Sequence, residues 1–205
     1  MSVRHVNKRN GDDSMYDLLI LGALMVHART GYKLRQILEG NLEPRRQISN
    51  GVMYPLLHKL EAAGYITLSD ELIKGRAQKL ATITDAGRAY FTQLMHTPIP
   101  MDAKRESTFR FKFRALGREN VGFQRLVLRA YISATAADME VYQFVTQHLQ
   151  EVAGRTTRQD AGWSLRTLEL ERALATTKIN WAQTQLQAMA DLPDDAEYTA
   201  LDASN

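Results

Sequence analysis

The chain has 205 residues, 44% of them hydrophobic, with 26 Lys and Arg against 23 Asp and Glu and no Cys. This hydrophobic share excludes wholesale disorder, and the lack of Cys excludes a disulfide frame, a thiolate metal site and a thiol nucleophile. Residues 1–97 and 98–190 each carry 13 basic and 9 acidic side chains, whereas 191–205 carry five acidic residues and no basic one. A positive body followed by an acidic tail suggests a polyanionic partner. No apolar run approaches the roughly 20 residues that span a bilayer. The opening MSVRHVNKRNGDDS has basic residues but no apolar stretch behind them, so it is not expected to be a signal peptide. The expected location is the cytoplasm.

Two breaks divide the chain. Thr97-Pro98-Ile99-Pro100 stops any helix, because proline lacks an amide donor and restricts the residue before it. Apolar periodicity ends at Leu192-Pro193-Asp194-Asp195. The expected organisation is a flexible arm at 1–13, a domain at 14–97, a helical domain at 98–190 and a disordered acidic tail at 191–205.

Apolar residues are dense from Ser14, a possible cap, to His27. A second short helix follows Thr30-Gly31, with Tyr32, Leu34, Ile37 and Leu38 on one side and Gly40 as its stop. Next, Met53, Leu56, Leu57 and Leu60 recur at helical spacing on one face, and Gly64 is a plausible C-terminal stop. Tyr65–Leu68 and Leu80–Thr84 read as paired strands around a polar loop holding Lys74, Gly75, Arg76 and Lys79. A helix from Thr84 runs towards Met95.

Helix, helix, helix, strand, basic loop, strand, helix is the order of a winged helix-turn-helix. A helix anchored by its apolar face can lay the opposite face in the major groove of DNA. On the third helix that opposite arc holds Gly51, Tyr54, Pro55, His58 and Lys59. Pro55 deletes one helix hydrogen bond and is least costly if the helix begins near Asn50 to Met53.

Several segments carry a family resemblance. They are Tyr16-Asp17-Leu18-Leu19-Ile20-Leu21-Gly22, Thr30-Gly31-Tyr32-Lys33-Leu34, the run from Ser49 through Tyr54-Pro55-Leu56-Leu57 to Glu61, Tyr65-Ile66, and Thr82-Ile83-Thr84-Asp85-Ala86-Gly87. In order and spacing this stretch resembles the PadR family of transcriptional regulators. The resemblance implies a dimeric DNA-binding protein, usually a repressor, with a C-terminal helical dimerisation region and often a small aromatic effector. On that reading Ser49, Asn50, Tyr54 and His58 lie near the groove, and Lys59 and Tyr32 on flanking phosphates. Lys74, Arg76 and Lys79 form the wing contact, and Arg45 and Arg46 are phosphate candidates. The long arm departs from the family. Its Arg4, Lys8 and Arg9 either touch DNA or belong to a disordered leader.

The second half reads as two long helices. The first, about 118–152, carries Phe123, Val127, Ala130, Ala134, Ala137, Val141 and Phe144 at spacings of three and four. The second carries Leu165, Leu168, Arg172, Ala175, Ile179, Ala182, Leu186 and Met189 on one line. Trp163, Leu170, Leu174, Trp181 and Ala188 form another. Such a repeat is a helix-pairing signal, within one chain or across two. Apolar residues off the main stripes need cover, which a homodimer supplies while matching the two-fold symmetry of a palindromic operator on double-stranded DNA. The expected contacts are Leu165, Leu168, Leu174, Ile179, Trp181 and Leu186. The fold class is therefore mainly α: an N-terminal winged helix-turn-helix with a small β-hairpin wing, then a C-terminal antiparallel pair of long helices for dimerisation.

Two segments stay open. Thr108–Arg114 alternates aromatic and basic residues, a strand pattern, whereas the family implies a helical connector with its phenylalanines in a joint. Stacking on single-stranded nucleic acid is a third option. Tyr131, Tyr142, Phe144, Trp163 and Trp181 could hold an aromatic effector such as a phenolic acid or planar drug, or be core. No metal or cofactor is expected: the five His are far apart, and Asp12-Asp13 and Asp194-Asp195 sit in arm and tail. No residue set supports an enzyme. The alternative function is a protein-interaction module on a winged-helix scaffold without DNA binding.

Overall fold

The computed structural model describes residues 10–41, 48–73, 76–153 and 160–198. Within these the chain forms two compact units, Met1–Ala115 and Leu116–Asn205. The first contains α1 (Asn10–Leu24), β1 (Arg29–Thr30), α2 (Gly31–Asn41), α3 (Asn50–Ala62), β2 (Ile66–Ile73), β3 (Arg76–Ile83), α4 (Asp85–His96) and α5 (Arg105–Ala115). The second contains α6 (Val121–Ala153) and α7 (Asp160–Ala188), with a 3-10 turn at Leu116–Arg118 before them.

In the first unit α1 is the central element and packs on α2, α3, α4 and α5. Leu18, Ile20, Leu21 and Leu24 are buried on it, so nearly every side of this short helix meets core. It starts earlier than its Ser14 cap suggested. The run Asn10-Gly-Asp-Asp is acidic, a composition that the positive end of a helix dipole favours. The arm expected at 1–13 is thus helical from residue 10. Gly40 does not stop α2, which continues to Asn41.

The stop after α3 is at Gly64 as expected. Its φ is 74°, a left-handed conformation that glycine adopts without strain. The Gly64 amide donates to the Glu61 carbonyl at 2.8 Å and the Tyr65 amide to that of Leu60 at 2.9 Å. This is a Schellman ending, and it turns the chain directly into β2.

The sheet has three antiparallel strands in the order β1-β3-β2. β1 has only two residues, Arg29 and Thr30, paired with Ala81 and Leu80, and is too short to leave a period-2 signature. The hairpin is longer than the expected Tyr65–Leu68 and Leu80–Thr84: pairing runs from Ile66↔Ile83 to Ile73↔Arg76. Main-chain hydrogen bonds continue through the polar residues, which need no core to stay paired. Thr84 caps α4, accepting from the Gly87 amide at 3.0 Å while donating to the Gly64 carbonyl at 2.7 Å. A Cβ on Gly87 would lie 2.0 Å from the Tyr65 carbonyl oxygen, so only glycine lets α4 approach the wing base.

Residues 105–115 are helical, which corrects the strand reading of Thr108–Arg114. As a helix the segment brings Phe109 and Phe113 together at i and i+4, with ring centroids 6.0 Å apart. It also buries Phe111 and Lys112. Lys112 Nζ donates to the carbonyls of Met95 at 2.6 Å and Thr97 at 2.5 Å, closing the C-terminus of α4. The proline-rich break after Thr97 therefore ends a helix but not a compact unit, and the boundary falls after Ala115.

In the second unit α6 and α7 pack together as a helical hairpin. Ala175 and Ala182 are buried on α7 and Met189 just after it, and Val127, Leu128, Tyr131, Ala134 and Thr135 on α6. The expected α6 stripe divides: Val127 and Ala134 are buried, but Ala130, Ala137, Val141 and Phe144 are exposed. Part of the tail expected to be disordered is built in. The Val121 and Gly122 amides donate to the carbonyls of Ala196 and Asp194 at 2.9 and 2.8 Å. Arg125 reaches the carbonyls of Met189, Ala190 and Leu192. The return segment supplies acceptors to the otherwise unpaired amides that open α6. No helix among the described residues is long and apolar enough to cross a membrane.

Candidate nucleic-acid interface

The exposed arc of α3 follows from what anchors the helix. Met53, Leu57 and Leu60 are each 1% exposed, and Leu56 is buried beside them. On the other side Gly51, Tyr54, Pro55 and His58 are exposed. Ser49 precedes the helix with extended backbone, and its carbonyl accepts from the amides of Val52 and Met53 at 3.0 and 3.1 Å. Its side chain makes no cap bond, which leaves the hydroxyl available to an outside acceptor. Asn50 opens α3, so Pro55 sits inside the helix, five residues beyond its first. The Ile48 amide donates to Glu39 Oε1 at 3.0 Å, tying the entry of α3 to α2.

Beside this arc lies a groove of about 700 Å³ lined by Thr30, Gly31, Tyr32, Tyr54, Gln78 and Lys79, with Asp70 and Ala77. Tyr54 leans towards the start of α2: a Cβ on Gly31 would meet its ring at 3.7 Å. Tyr32 is exposed, and its hydroxyl accepts from Gln36 Nε2 at 2.9 Å. That bond occupies a lone pair and leaves the hydroxyl proton for an acceptor outside, as a phosphate oxygen would be. Arg35 sits over the same ring at 5.5 Å. The opening amides of α2 have no helical acceptor; that of Lys33 is capped by Thr30 Oγ1 at 3.3 Å, at an end whose dipole favours anions.

The other predicted DNA contacts divide. His58 is exposed, with Nδ1 3.3 Å from Glu61 Oε2, so the neighbouring carboxylate orients its ring. Lys59 does not project freely. Its Nζ donates to Asp17 Oδ2 on α1 at 3.0 Å, an intrachain ion pair that competes with the expected phosphate role. Lys79 is exposed on β3 and lies 3.8 Å from Asp70 across the hairpin. Arg76 opens β3 opposite Ile73. Arg45, Arg46 and Lys74 lie outside the described residues. Sequence reading placed Tyr32 at this groove but not Thr30, Gly31, Gln78 or Asp70. The helix start after Thr30-Gly31 was legible, but the groove depends on β1 drawing α2 against the wing, which a local pattern does not show.

In the second unit Tyr131 is buried and meets Trp181 edge to face at 6.4 Å, so these two aromatic residues take part in helix packing. Phe144 and Trp163 are 71% and 74% exposed, and Tyr142 is partly buried. The six expected dimer contacts also separate. Leu165, Leu168, Ile179 and Leu186 are half-buried on the stripe whose Ala175, Ala182 and Met189 are buried, whereas Leu174 and Trp181 are exposed. Among the described residues no cluster of His, Asp and Glu could hold a metal ion.

A trihelical core, a recognition helix with one face free, and a β-hairpin wing together define a winged helix-turn-helix protein. Residues 20–93 match the model of the Transcriptional regulator PadR-like family, so that region of the chain is a PadR-like one. A 47-residue stretch is 40% identical to Transcriptional regulator Rv3488 of Mycobacterium tuberculosis, covering 23% of this chain. The match spans 44% of the mycobacterial protein's length. Among solved structures, smu.1704 from Streptococcus mutans UA159 is 29% identical, with 40% of this chain and 74% of that chain covered and a TM-score of 0.36. Bacillus subtilis PadR, solved in complex with operator DNA, is 21% identical, with 83% and 97% covered and a TM-score of 0.39.

Proposed function

We propose that this chain is a homodimeric, sequence-specific DNA-binding regulator that represses transcription from a palindromic operator and is released by a small planar aromatic effector. The observation that carries the DNA reading is α3: its apolar side is fully engaged in the core while Gly51, Tyr54, Pro55 and His58 stay exposed. The neighbouring groove, with the first amides of α2, Tyr32 and Lys79, has the chemistry of a phosphate track along one edge of that helix. By sequence, Lys74 and Arg76 add cations to the wing, and Arg45 and Arg46 add two more shortly before α3.

A second copy of the chain is supported by the outer face of α7. Trp163, Thr167, Leu170, Leu174, Thr177, Trp181, Thr184 and Ala188 are exposed at alternating spacings of four and three. The three threonines return their hydroxyls to helix carbonyls: Thr167 to Trp163 at 2.9 Å, Thr177 to Ala173 at 2.9 Å, and Thr184 to Asn180 at 3.0 Å. Their polar atoms are satisfied internally, so the seam offers methyl groups and rings and behaves as apolar throughout. Leu126, Val141 and Phe144 leave a similar face on α6. Four helices from two copies would cover both faces. Exposed Phe144, Trp163 and Trp181 would meet an aromatic ligand at that junction.

The test is selection of duplexes from a random-sequence pool, followed by gel shift with a scrambled control. A palindromic consensus and a two-to-one protein-to-duplex stoichiometry are expected. Recovery of no preferred duplex overturns the DNA reading and leaves the free arc of α3 to a protein partner. For the effector, release of the selected duplex by hydroxycinnamic acids with quenching of tryptophan fluorescence is expected. Neither effect across such a panel overturns the phenolic reading.

A further inference from the structure

One carboxylate of the N-terminal unit is buried among apolar side chains of α1. Asp17 on α1 is 1% exposed. Its Oδ2 accepts from Lys59 Nζ at 3.0 Å and from the Tyr90 hydroxyl at 3.5 Å. Tyr90 stacks on Tyr65, with ring centroids 4.2 Å apart and planes inclined by 16°. These partners come from three elements of the interface scaffold. Lys59 lies in the last turn of α3, Tyr65 follows Gly64 at the wing base, and Tyr90 is on α4. An ionised carboxylate at that depth is tolerated only while its partners keep their places. Its geometry therefore restricts where the C-terminal end of α3 can sit.

We propose that Asp17 is the positioning residue of the recognition helix: by holding Lys59 to α1 it fixes the setting of α3 and keeps that cation off the DNA backbone. The proposal rests on the DNA reading above. Base-edge hydrogen bonds are lost with small misplacements, whereas attraction to phosphates is long-ranged and tolerant of them. Losing Asp17 therefore acts on discrimination between sequences more than on affinity for DNA in general.

The experiment compares the duplex that the wild-type chain prefers with a scrambled duplex, across a salt series. Lys59 is 43% exposed and hydrates readily when released, so Asp17→Leu strands no charge. It is expected to keep the wild-type circular dichroism and scrambled-duplex affinity within about twofold, and to lower the preference at least about fivefold. Should it unfold, Asp17→Asn gives the same reading. Lys59→Arg keeps the ion pair and should retain the preference. The double variant Asp17→Leu/Lys59→Met should match Asp17→Leu in preference and the wild type in salt slope. An unchanged preference in Asp17→Leu, or an equal loss on both duplexes, overturns the proposal. So does a double-variant slope flatter by about 0.9, the value of one phosphate contact. A wild-type chain with no preferred duplex overturns the DNA reading itself. A preference shared by the wild type and every variant overturns only the role of Asp17.

Discussion

Removing the Arg125 guanidinium is expected to unfasten the base of the α6–α7 hairpin. The side chain is 14% exposed and donates to the carbonyls of Met189, Ala190 and Leu192, and to Asp194 Oδ1 at 2.6 Å. These carbonyls belong to the turn that follows α7, and a cation at that end also complements the helix dipole. A hydrogen bond from a charged donor contributes about 1.5–3 kcal/mol, but three carbonyls sharing one guanidinium do not add in full. The Asp194 carboxylate is 78% exposed, so that ion pair adds at most about 1 kcal/mol. Arg125→Ala should therefore cost about 3 kcal/mol and Asp194→Ala less than about 1 kcal/mol. For a unit of this size, about 4–8 °C per kcal/mol places the Arg125→Ala transition more than about 10 °C lower. Both tryptophans of the chain, Trp163 and Trp181, are on α7, so their fluorescence in urea follows this unit alone. Protein concentration must be held fixed, since association adds to apparent stability. A loss below about 0.5 kcal/mol, or equal losses in the two variants, would refute the clamp.

Gly87→Ala places a Cβ against the Tyr65 carbonyl and should cost about 3 kcal/mol, read as a lowered thermal midpoint by circular dichroism; a midpoint within a degree or two of wild type, by the ordinary scaling, would contradict the close approach. Lys74→Ala/Arg76→Ala should weaken binding to all duplexes and flatten the salt slope by about 1.8, two phosphate contacts' worth. An unchanged slope would remove the wing from the interface. Leu170→Asp/Leu174→Asp adds charge to the exposed face of α7 and should convert a dimer to a folded monomer in sedimentation. A dimer that persists would move the interface elsewhere. Burial, and then the nearby Asp17 carboxylate, raise the Tyr90 hydroxyl above its ordinary value of 10.0. The folded state thus holds that proton after the unfolded state has released it, and stability should fall as pH rises beyond about 10. Tyr90→Phe should remove that part of the alkaline loss, and an identical alkaline profile would exclude Tyr90 as its source.

Much of the first unit was legible because its elements announce themselves locally. The α3 stripe of Met53, Leu56, Leu57 and Leu60, the stop at Gly64 and the cap at Thr84 each depend on a few adjacent residues. What was misread depends on distant partners. The alternation Phe109-Arg110-Phe111-Lys112-Phe113 has period 2 only along the chain. Its helical form is set by the α4 carbonyls that Lys112 meets and by the packing of α5 on α1. The acidic tail was read as disordered from composition, yet its backbone, with the Asp194 carboxylate beside it, pairs with α6. Carbonyl positions leave no mark in a pattern of side chains.

The interface was legible in outline for the same reason and obscure in its charges. The free arc of α3 is the complement of its buried stripe, so Tyr54 and His58 follow from Met53 and Leu57 without any knowledge of a partner. The role of a lysine does not follow in this way, because it is decided by the carboxylates that the fold brings near it. Lys59 lies beside Pro55 on the arc opposite the core, yet its ammonium is drawn back by Asp17, 42 residues earlier in the chain. Lys79 remains at the surface but shares its position with Asp70. Counting cations along the sequence therefore overstates the charge presented to a duplex. The paired lysines carry less of it than their number suggests, and such a count also omits the positive dipole end of α2, which bears no formal charge.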